Sequence, residues 1–410
     1  MAEAADRIVS LDLIRGVAVL GILAINIAGF AGPSAATLTP HIPRPAGPLD
    51  EASFAAAFVL FEGKMRALFT ILFGAGLLLF IDRAEARGLN GDVLQLRRLS
   101  WLMLFGLLHY FLFWWGDILF LYGMAGILAL FLRHLPPRTM LPLALVAFAG
   151  WHLAQLAASV PDLRAEEHVR LGTASPAEAA RHAEFLHDVT ARAAAELVEN
   201  RMGFAQQIGV KLSERPLRPI ETAPATLPET LPLVLIGMAL LRSGFFAGAW
   251  PRRRLWTLAL GGGLVGGALT LALLGWVWPR HFPLRAMSVA LLYATALPHL
   301  LMALAYAALL VLATPRLAGA RLGRRLVAAG RMAFTNYLAT TMVMTAIFYG
   351  WGLGLVGKVG HAGQFGFVAL GWALMLGWSA PWLARFRQGP LEWLWRSLIE
   401  RRALPMRRAE

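Results

Sequence analysis

The sequence contains no cysteine among its 410 residues. This absence excludes disulfide bonds, thiolate metal sites and cysteine nucleophiles. Charged residues are also scarce, because Asp, Glu, Lys and Arg together make up 15% of the chain, against about 25% in an average soluble domain. A soluble protein of this length needs a larger polar surface, so the composition argues against a soluble fold.

Several well-known catalytic motifs are missing as well. There is no His-Glu-x-x-His zinc motif, no Gly-x-Ser-x-Gly nucleophile elbow and no set of kinase motifs. Gly74 and Gly76 form only a short Gly-x-Gly in an apolar run without a lysine, so no phosphate-binding loop is indicated. Any enzymatic activity must therefore rest on histidine and carboxylate side chains, and we expect no metal.

Hydrophobic residues make up 58% of the chain and fall into long runs. A membrane-spanning helix needs about 20 consecutive apolar residues, and about ten windows approach that length. The sequence therefore predicts an all-α integral membrane protein with about ten transmembrane helices. The windows cover residues 11–32, 64–82, 99–115, 117–132, 139–158, 229–249, 255–278, 286–314, 327–351 and 365–384. Pro298 predicts a kink in the eighth window.

Basic residues cluster in every second loop between the predicted helices. Arg83, Arg87, Arg97 and Arg98 follow the second window, and further clusters follow the fourth, sixth, eighth and tenth. Because cytoplasmic loops carry the excess of Lys and Arg, both termini are predicted to be cytoplasmic. We interpret the net charge of +14 as topology signals and contacts with anionic lipid headgroups. The predicted location is a bacterial cytoplasmic (inner) membrane.

The predicted helices divide the chain into four parts. Residues 1–158 and 229–385 are two transmembrane parts, each with about five helices. Between them, residues 159–228 form the one long polar segment, which we expect to be extracytoplasmic and to contain one or two helices that cap the outer face. Residues 386–410 are predicted to form a cytoplasmic interfacial helix, with tryptophans at headgroup depth, and a basic tail.

Ionisable side chains inside predicted transmembrane helices are candidate site residues, because an unpaired charge in a membrane costs several kcal/mol. Asp12 and Arg15 are three positions apart on one face of the first helix, and Asn26 extends this polar stripe. Lys64 and Arg66 lie at the outer mouth of the second helix and suit an anionic group. Simpler explanations are an interfacial ion pair for Asp12 and Arg15, and snorkelling for the two cations.

His109 and Asp117 are the candidate catalytic residues. A neutral histidine is suited to move protons near neutral pH, and a carboxylate can orient its ring or raise its basicity. The two residues are eight positions apart, about 12 Å along a continuous helix, so they meet only if the chain folds back at Gly116. The competing interpretation is a buried histidine that hydrogen-bonds to a backbone carbonyl.

A further polar group lies at the cytoplasmic entry to the ninth window, where residues 330–337 read Gly-Arg-Met-Ala-Phe-Thr-Asn-Tyr. Hydrogen bonds between helices are the ordinary explanation for such residues. A substrate-binding role is the functional alternative. The candidate substrate-binding residues are therefore Asp12, Arg15, Asn26, Lys64, Arg66, Arg331, Asn336 and Tyr337.

Five motifs occur in order along nearly the whole chain. They are Arg7-Ile-Val-Ser-Leu-Asp12-Leu-Ile-Arg15-Gly, Lys64-Met-Arg-Ala-Leu-Phe, Gly-Leu-Leu-His109 with Trp-Gly-Asp117-Ile-Leu, Gly330-Arg331-Met-Ala-Phe-Thr-Asn336-Tyr337-Leu, and Phe386-Arg387-Gln-Gly389-Pro390-Leu-Glu-Trp. Together they resemble the YeiB family of bacterial membrane proteins. The last two resemble that family's C-terminal domain of unassigned function.

The first motif is also similar to the opening of two transmembrane acyltransferase families, the heparan-alpha-glucosaminide N-acetyltransferases and the O-acyltransferases of cell-surface polysaccharides. In the O-acyltransferases a histidine follows the arginine after ten residues, whereas Asn26 stands at that interval after Arg15, as in the heparan type. The heparan-type resemblance implies cytoplasmic acetyl-CoA and a histidine in the first outer loop, where His41 is the positional counterpart. We prefer His109, because its flanking motif is that of the YeiB family.

We therefore expect an acyltransferase that moves an acyl group, in the simplest case acetyl, from cytoplasmic acyl-CoA to a hydroxyl or amine of a cell-envelope acceptor. Arg15, with Arg97 or Arg98, would receive the acyl-CoA, and His109 with Asp117 would deprotonate the acceptor. The expected partners are the lipid bilayer and a small-molecule, glycan or lipid acceptor, and not nucleic acid. The sequence leaves open whether the protein forms a homodimer.

Two other classes of function compete with this expectation. A transporter or flippase for an anionic amphiphile would use the same charges as a relay near the membrane midplane. A membrane scaffold would bind a partner through residues 160–228. We rank the scaffold last, because it does not require so many charges facing the bundle.

Overall fold

The computed structural model describes residues 7–408. In this part of the chain all regular structure is helical, apart from an isolated bridge between Phe386 and Arg407. The prediction of an all-α protein is therefore confirmed. The α-helices are α1 (Val9–Ala31), α2 (Pro48–Leu60), α3 (Lys64–Glu85), α4 (Gly91–Leu112), α5 (Leu119–Leu132), α6 (Pro137–Ala158), α7 (Val160–Leu171), α8 (Pro176–Asn200), α9 (Phe204–Glu214), α10 (Arg218–Glu221), α11 (Ala223–Arg242), α12 (Arg252–Val277), α13 (Leu284–Val289), α14 (Ala296–Leu317), α15 (Arg321–Arg331), α16 (Ala333–Phe348), α17 (His361–Arg385) and α18 (Pro390–Glu400).

Long apolar helices dominate the molecule. Within residues 7–408, seven helical stretches are long and apolar enough to cross a membrane, namely α1, α2 with α3, α6, α11, α12, α14 and α17. Shorter apolar helices are α5, α13 with the turn that follows it, and α16. A chain with this many spanning helices is a multi-pass membrane protein.

The window 286–314 is interrupted where Pro298 predicts a kink. A π-helical turn, Ala290–Ala294, separates α13 from α14. Proline has no N–H to donate to the carbonyl four residues earlier, which is that of Ala294, and its ring crowds that carbonyl. The wider turn accommodates both effects.

The window 327–351 consists of two helices, because the backbone leaves helical geometry at Met332 (φ −112°, ψ 26°). The new helix α16 begins with N–H groups that have no partner inside the helix. Glu392 of α18 accepts from two of them, the N–H groups of Phe334 (2.9 Å) and Thr335 (3.1 Å). A residue far along the chain therefore caps this break.

The polar segment 159–228 contains four helices, α7 to α10, and the first turns of α11, where one or two helices were predicted. Ser175 and Glu178 start α8 with reciprocal side-chain to backbone hydrogen bonds, a capping box. α2 was not predicted, because its 13 residues are too few for a spanning window.

The bundle has two ends of different character. At the end where α1 begins, which we term the basic face, arginines from separate loops contact their neighbours. Arg133 pairs with Glu85 (3.3 Å) and Asp92 (2.8 Å), and Arg242 donates to the carbonyl of Leu135 (2.8 Å). The helix α18 lies at this face.

At the opposite end, which we term the capped face, helices α7 to α10 lie over the ends of the membrane helices. Glu196 accepts from the backbone N–H (2.5 Å) and the hydroxyl (2.9 Å) of Ser34, just after α1. Lys211 donates to the carbonyl of Tyr110 (3.0 Å), near the end of α4. These contacts place a polar cover next to the candidate catalytic residues.

Candidate functional site

His109 and Asp117 are in direct contact. His109 Nδ1 lies 2.9 Å from Asp117 Oδ1, and the side chains are 0% and 4% exposed. The chain folds back between α4 and α5, as the contact requires. Two other buried histidines contact backbone carbonyl oxygens instead: His152 Nδ1 lies 2.7 Å from that of Phe148, and His361 Nε2 lies 3.3 Å from that of Ala36.

Local sequence explains why the pair forms. Asp117 Oδ2 accepts from the N–H of Phe120 (2.9 Å), which would have no partner in the first turn of α5. Gly106 lies one turn before His109 on α4. A Cβ atom at Gly106 would lie 2.3 Å from the backbone nitrogen of Phe120 and 2.7 Å from Asp117 Oδ2. Only glycine allows α5 to begin this close to α4.

The pair leaves one histidine nitrogen available. An ionised Asp117 accepts the proton of Nδ1, so Nε2 of a neutral His109 carries a lone pair. Nε2 is buried and has no hydrogen-bond partner in residues 7–408. The imidazole ring lies 5.2 Å from the ring of Tyr337 and 6.5 Å from Trp114, measured between centroids. A neutral imidazole with one free nitrogen is chemically able to accept a proton.

A cavity of about 250 Å³ lies against Asp117, slightly below the ~300–1,000 Å³ of typical ligand sites. Asp117 lines the cavity and His109 does not. The Asp117 side chain therefore lies between a molecule in the cavity and the imidazole ring of His109. Other polar side chains that line it are Arg66, Thr70, Tyr110, Tyr122, Arg218, Thr222, Thr226, Glu229 and Thr230.

Arg66 and Lys64 are both engaged inside the protein. Arg66 forms two parallel contacts of 2.9 Å with Glu229 of α11, a bidentate pair. Lys64 is fully buried and donates to the carbonyl of Phe58 (2.7 Å). Of these two predicted acceptor-binding cations, only Arg66 lines the cavity.

The capped face contributes a further cation to the cavity. Arg218, at the start of α10, lines it and forms no ion pair with the described part of the chain. The neighbouring Thr222 is exposed. Arg218 is therefore available to an anionic group that enters from the capped face.

At the basic face, Asp12 is buried between two arginines. It accepts from Arg7 Nε (2.6 Å) and from Arg15 (3.2 Å). This geometry matches the interfacial ion pair that competed with a functional interpretation. Asn26, further along α1, is half-buried and does not hydrogen-bond to His109 or Asp117.

Arg15 also takes part in a basic cluster. Its guanidinium and that of Arg98 both lie beside Gly76, where Arg98 is 3.5 Å from the carbonyl oxygen. Arg98 stacks on Trp395 of α18, 4.7 Å from the ring centroid, and Arg396 is close enough to repel it electrostatically. Concentrated positive charge of this kind suits an anionic ligand at the basic face. Arg97, by contrast, donates to the carbonyl of Ile399 (2.6 Å).

The residues of the motif 330–337 lie in different environments. Asn336 donates to the carbonyl of Ala329 and to Ser379 (both 3.1 Å) and accepts from Trp378 (2.8 Å), so it joins helices as expected for interhelical hydrogen bonds. Arg331 donates to the carbonyl of Arg387 (3.1 Å) at the basic face. Tyr337 alone reaches the His109 ring.

His41, the alternative base, lies in a separate cluster on the capped face. Its Nε2 is 3.1 Å from Glu51 Oε1. It does not contact His109 or Asp117, so the two candidate histidines belong to different sites.

Sequence reasoning did not identify two charged residues of the cavity, Glu229 and Arg218. Glu229 is the first residue of the predicted membrane window 229–249. A single carboxylate at the end of an apolar window can indicate a buried ion pair. Arg218 gave no comparable signal, because it is one of several basic residues in a polar segment.

Comparisons with known proteins identify relatives along the full chain. Residues 240–402 match the family described as "Protein of unknown function (DUF418)". The chain is 31% identical over 416 residues to the uncharacterized protein YeiB of Escherichia coli (strain K12), with 98% of each chain covered. It is 32% identical over 405 residues to the uncharacterized protein YxaH of Bacillus subtilis (strain 168), covering 96% of this chain and 94% of YxaH. No solved structure is significantly similar.

Proposed function

The chain belongs to the YeiB family, and from this premise we propose that it is a transmembrane acyltransferase. The proposed reaction moves an acyl group, in the simplest case acetyl, from cytoplasmic acyl-CoA to a hydroxyl or amine of a cell-envelope or extracytoplasmic acceptor. The single observation that carries the proposal is the buried His109–Asp117 pair, in which His109 Nε2 has no partner and Asp117 lines a cavity.

The proposal includes a topology of about ten spans with both termini cytoplasmic, in a bacterial cytoplasmic membrane. The seven long apolar stretches, together with α4, α5 and α16, supply the spans. The arginine-rich loops meet at the basic face, which the positive-inside rule assigns to the cytoplasm. His109 then lies toward the outer side.

The chemistry follows from the free Nε2. Because Asp117 lies between the cavity and the imidazole, the acceptor must pass the Asp117 side chain to give its proton to His109 Nε2. The acceptor's oxygen or nitrogen then forms a bond to the thioester carbonyl carbon. The carbon–sulfur bond breaks, and the CoA thiolate leaves and takes the proton back from the imidazolium. Asp117 stabilises the imidazolium while it exists. Arg218, which lines the cavity, would bind an anionic group on the acceptor.

The donor fits the basic face. Arginine binds phosphate groups well, and Arg15 and Arg98 lie together beside Gly76. Arg98 and His109 are eleven positions apart on α4, about 16 Å along the helix axis. The long pantetheine arm of an acyl-CoA joins its phosphates to its thioester, which suits separate binding of the two ends.

The first test is donor binding by the detergent-purified protein. Its melting temperature is measured with acetyl-CoA, longer acyl-CoAs and free CoA, since a ligand at 100 times its Kd adds about 2.7 kcal/mol. We expect saturable stabilisation that is lost in Arg98→Gln and kept in Arg164→Gln, a matched change on α7. Absence of any shift with every thioester would overturn the acyl-donor assignment.

The second test is transfer itself. Radiolabelled acetyl-CoA is incubated with the protein in membrane vesicles, and label is followed into lipid and glycan fractions. We expect label incorporation that depends on His109 and is unaffected by His187→Ala, a change at an exposed histidine on α8. Equal incorporation by wild type and His109→Ala would refute the assigned base.

A transporter or flippase for an anionic amphiphile is the second candidate function. Lys64 and the Arg66–Glu229 pair lie in two of the long apolar stretches, where charges commonly mark transport pathways. Flux of an anionic lipid across proteoliposomes without any covalent product would favour this function. Label transfer without flux would favour the acyltransferase.

A further inference from the structure

Three side chains with metal-ligating atoms converge on the capped face, away from the proposed reaction. His41 Nε2 lies 3.1 Å and His281 Nδ1 lies 3.4 Å from the same oxygen, Oε1 of Glu51. The three ligand atoms all lie within 4.8 Å of one another. Ligands bound tetrahedrally to zinc at about 2.0–2.2 Å are separated by roughly 3.3–3.6 Å. We propose that His41, Glu51 and His281 bind one divalent transition-metal ion, with Zn²⁺ as the fitting ion.

The fold alone assembles this set. His41 lies in the loop after α1, Glu51 in the first turn of α2, and His281 in the loop between α12 and α13. His281 is 230 positions from Glu51, so no motif of closely spaced ligands indicates the site in the sequence. Because His281 is distant from the other two residues in the sequence, the sequence predicted no metal. The metal site proposed here would revise that prediction.

The backbone holds His281 toward Glu51. His281 (φ 58°) and Phe282 (φ 53°) are consecutive non-glycine residues in the left-handed region, and Arg401 is the one other such residue between 7 and 408. Conformations of this kind are unfavourable for non-glycine residues and persist where surrounding contacts enforce them. Phe282 supplies that enforcement, because it is 1% exposed and packs on Phe54 at 5.2 Å between centroids.

Glu51 is oriented by a second contact. Its Oε2 accepts from the indole N–H of Trp278 (2.9 Å), which leaves Oε1 directed at the two histidines. Hydrogen bonds that fix a ligating carboxylate in this way are typical of metal sites. Trp278 is therefore a positioning residue for the proposed site.

His41 is the ligand that must change on binding. Its Nε2 is buried and, although 3.1 Å from the carboxylate oxygen, makes no well-directed hydrogen bond. Its Nδ1 accepts from the N–H of Ala46 at 3.3 Å, so without metal the ring proton lies on Nε2. When the metal binds Nε2, that proton moves to Nδ1 and the long contact with Ala46 opens.

The donor set determines the kind of ion. Two imidazoles and one carboxylate suit zinc and similar ions, whereas Mg²⁺ and Ca²⁺ prefer oxygen ligands. The side chain of His281 is 78% exposed, so water can complete the coordination as a fourth ligand. The site therefore has three protein ligands and one open position.

The test is direct metal binding by the full-length protein in detergent. The protein is stripped with chelator and titrated with Zn²⁺, and bound zinc is counted by mass spectrometry. We expect one tightly bound Zn²⁺ per chain, affinity at least about 100-fold weaker in His281→Ala, and about 10-fold weaker in Trp278→Phe. His187→Ala is the matched control, because its histidine is exposed and outside the cluster.

Two further readouts keep the proposal falsifiable. Co²⁺ in place of Zn²⁺ should give visible absorption bands in wild type that are lost in Glu51→Gln, which reports direct ligation. The melting temperature of each variant in chelator checks that it is folded, and His281 is exposed enough that its replacement should be tolerated. Equal Zn²⁺ affinity in wild type and folded His281→Ala would overturn the site.

Discussion

Two histidine–carboxylate contacts in this protein share their chemistry and differ in their surroundings. His109 and Asp117 are 2.9 Å apart and almost fully buried, and no second histidine joins them within the described residues. His41 and Glu51 are 3.1 Å apart, 27% and 15% exposed, and joined by His281. A buried pair with a free Nε2 is suited to proton transfer, whereas an accessible pair with a second imidazole is suited to metal binding. The environment, more than the residue types, assigns the role.

The largest expected effect separates the two histidines. His109→Ala should lower the rate of acyl transfer by about 10²–10⁴-fold, the usual contribution of a general base, and His41→Ala should leave that rate unchanged. The measurement is label transfer from acyl-CoA. The reverse pattern, with His41 essential and His109 dispensable, would exchange the two roles.

Asp117→Asn tests the role of the carboxylate in the buried pair. The carboxamide can donate to Nδ1 of His109, which would move the ring proton to Nε2 and block the base. We expect a loss of transfer approaching that of His109→Ala, with the melting temperature close to wild type. Full activity in a folded Asp117→Asn protein would contradict the assigned role of the carboxylate.

The two sites also differ in how far sequence reasoning could reach. His109 and Asp117 were identified because they lie eight positions apart across a visible break, and the break at Pro298 was signalled by the proline itself. Glu229 is 163 positions from Arg66, and His281 is 230 positions from Glu51. Periodicity and spacing describe neighbours along the chain, and a single sequence carries no covariation that could reveal distant partners.

The same limit applies to the fold. Runs of apolar residues predict membrane helices because the signal is local. The separation of α15 from α16 depends on Glu392, 58 positions after Phe334, and no local pattern contains that contact. The extra helices of the capped face were underestimated because their polar composition resembles that of a loop.

Gly106→Ala tests whether the close approach of α4 and α5 creates the buried pair. The added methyl group would meet the backbone nitrogen of Phe120 at 2.3 Å, and such overpacking typically costs about 1–3 kcal/mol. We expect a lower melting temperature together with reduced acyl transfer. Gly150→Ala on α6 is the control, because beyond the adjacent backbone of α6 no atom lies within 4 Å of its added Cβ. A Gly106→Ala protein as stable and active as wild type would refute this explanation of the pair.

The smallest expected effect concerns Lys211, which joins the capped face to Tyr110 beside His109. Burial lowers the pKa of Lys211 to about 8, with Glu199 and Arg215 nearby, whereas an unfolded lysine titrates near 10.4. Between about pH 8 and pH 10.4 the lysine keeps its proton in the unfolded chain but has lost it in the folded protein. The free energy of unfolding should therefore rise by about 1 kcal/mol for each pH unit. Lys211→Met should remove this slope while the other titrating groups remain. The measurement is denaturant unfolding of both proteins from pH 8 to 10, and parallel pH profiles would show that Lys211 stays charged beneath the cover.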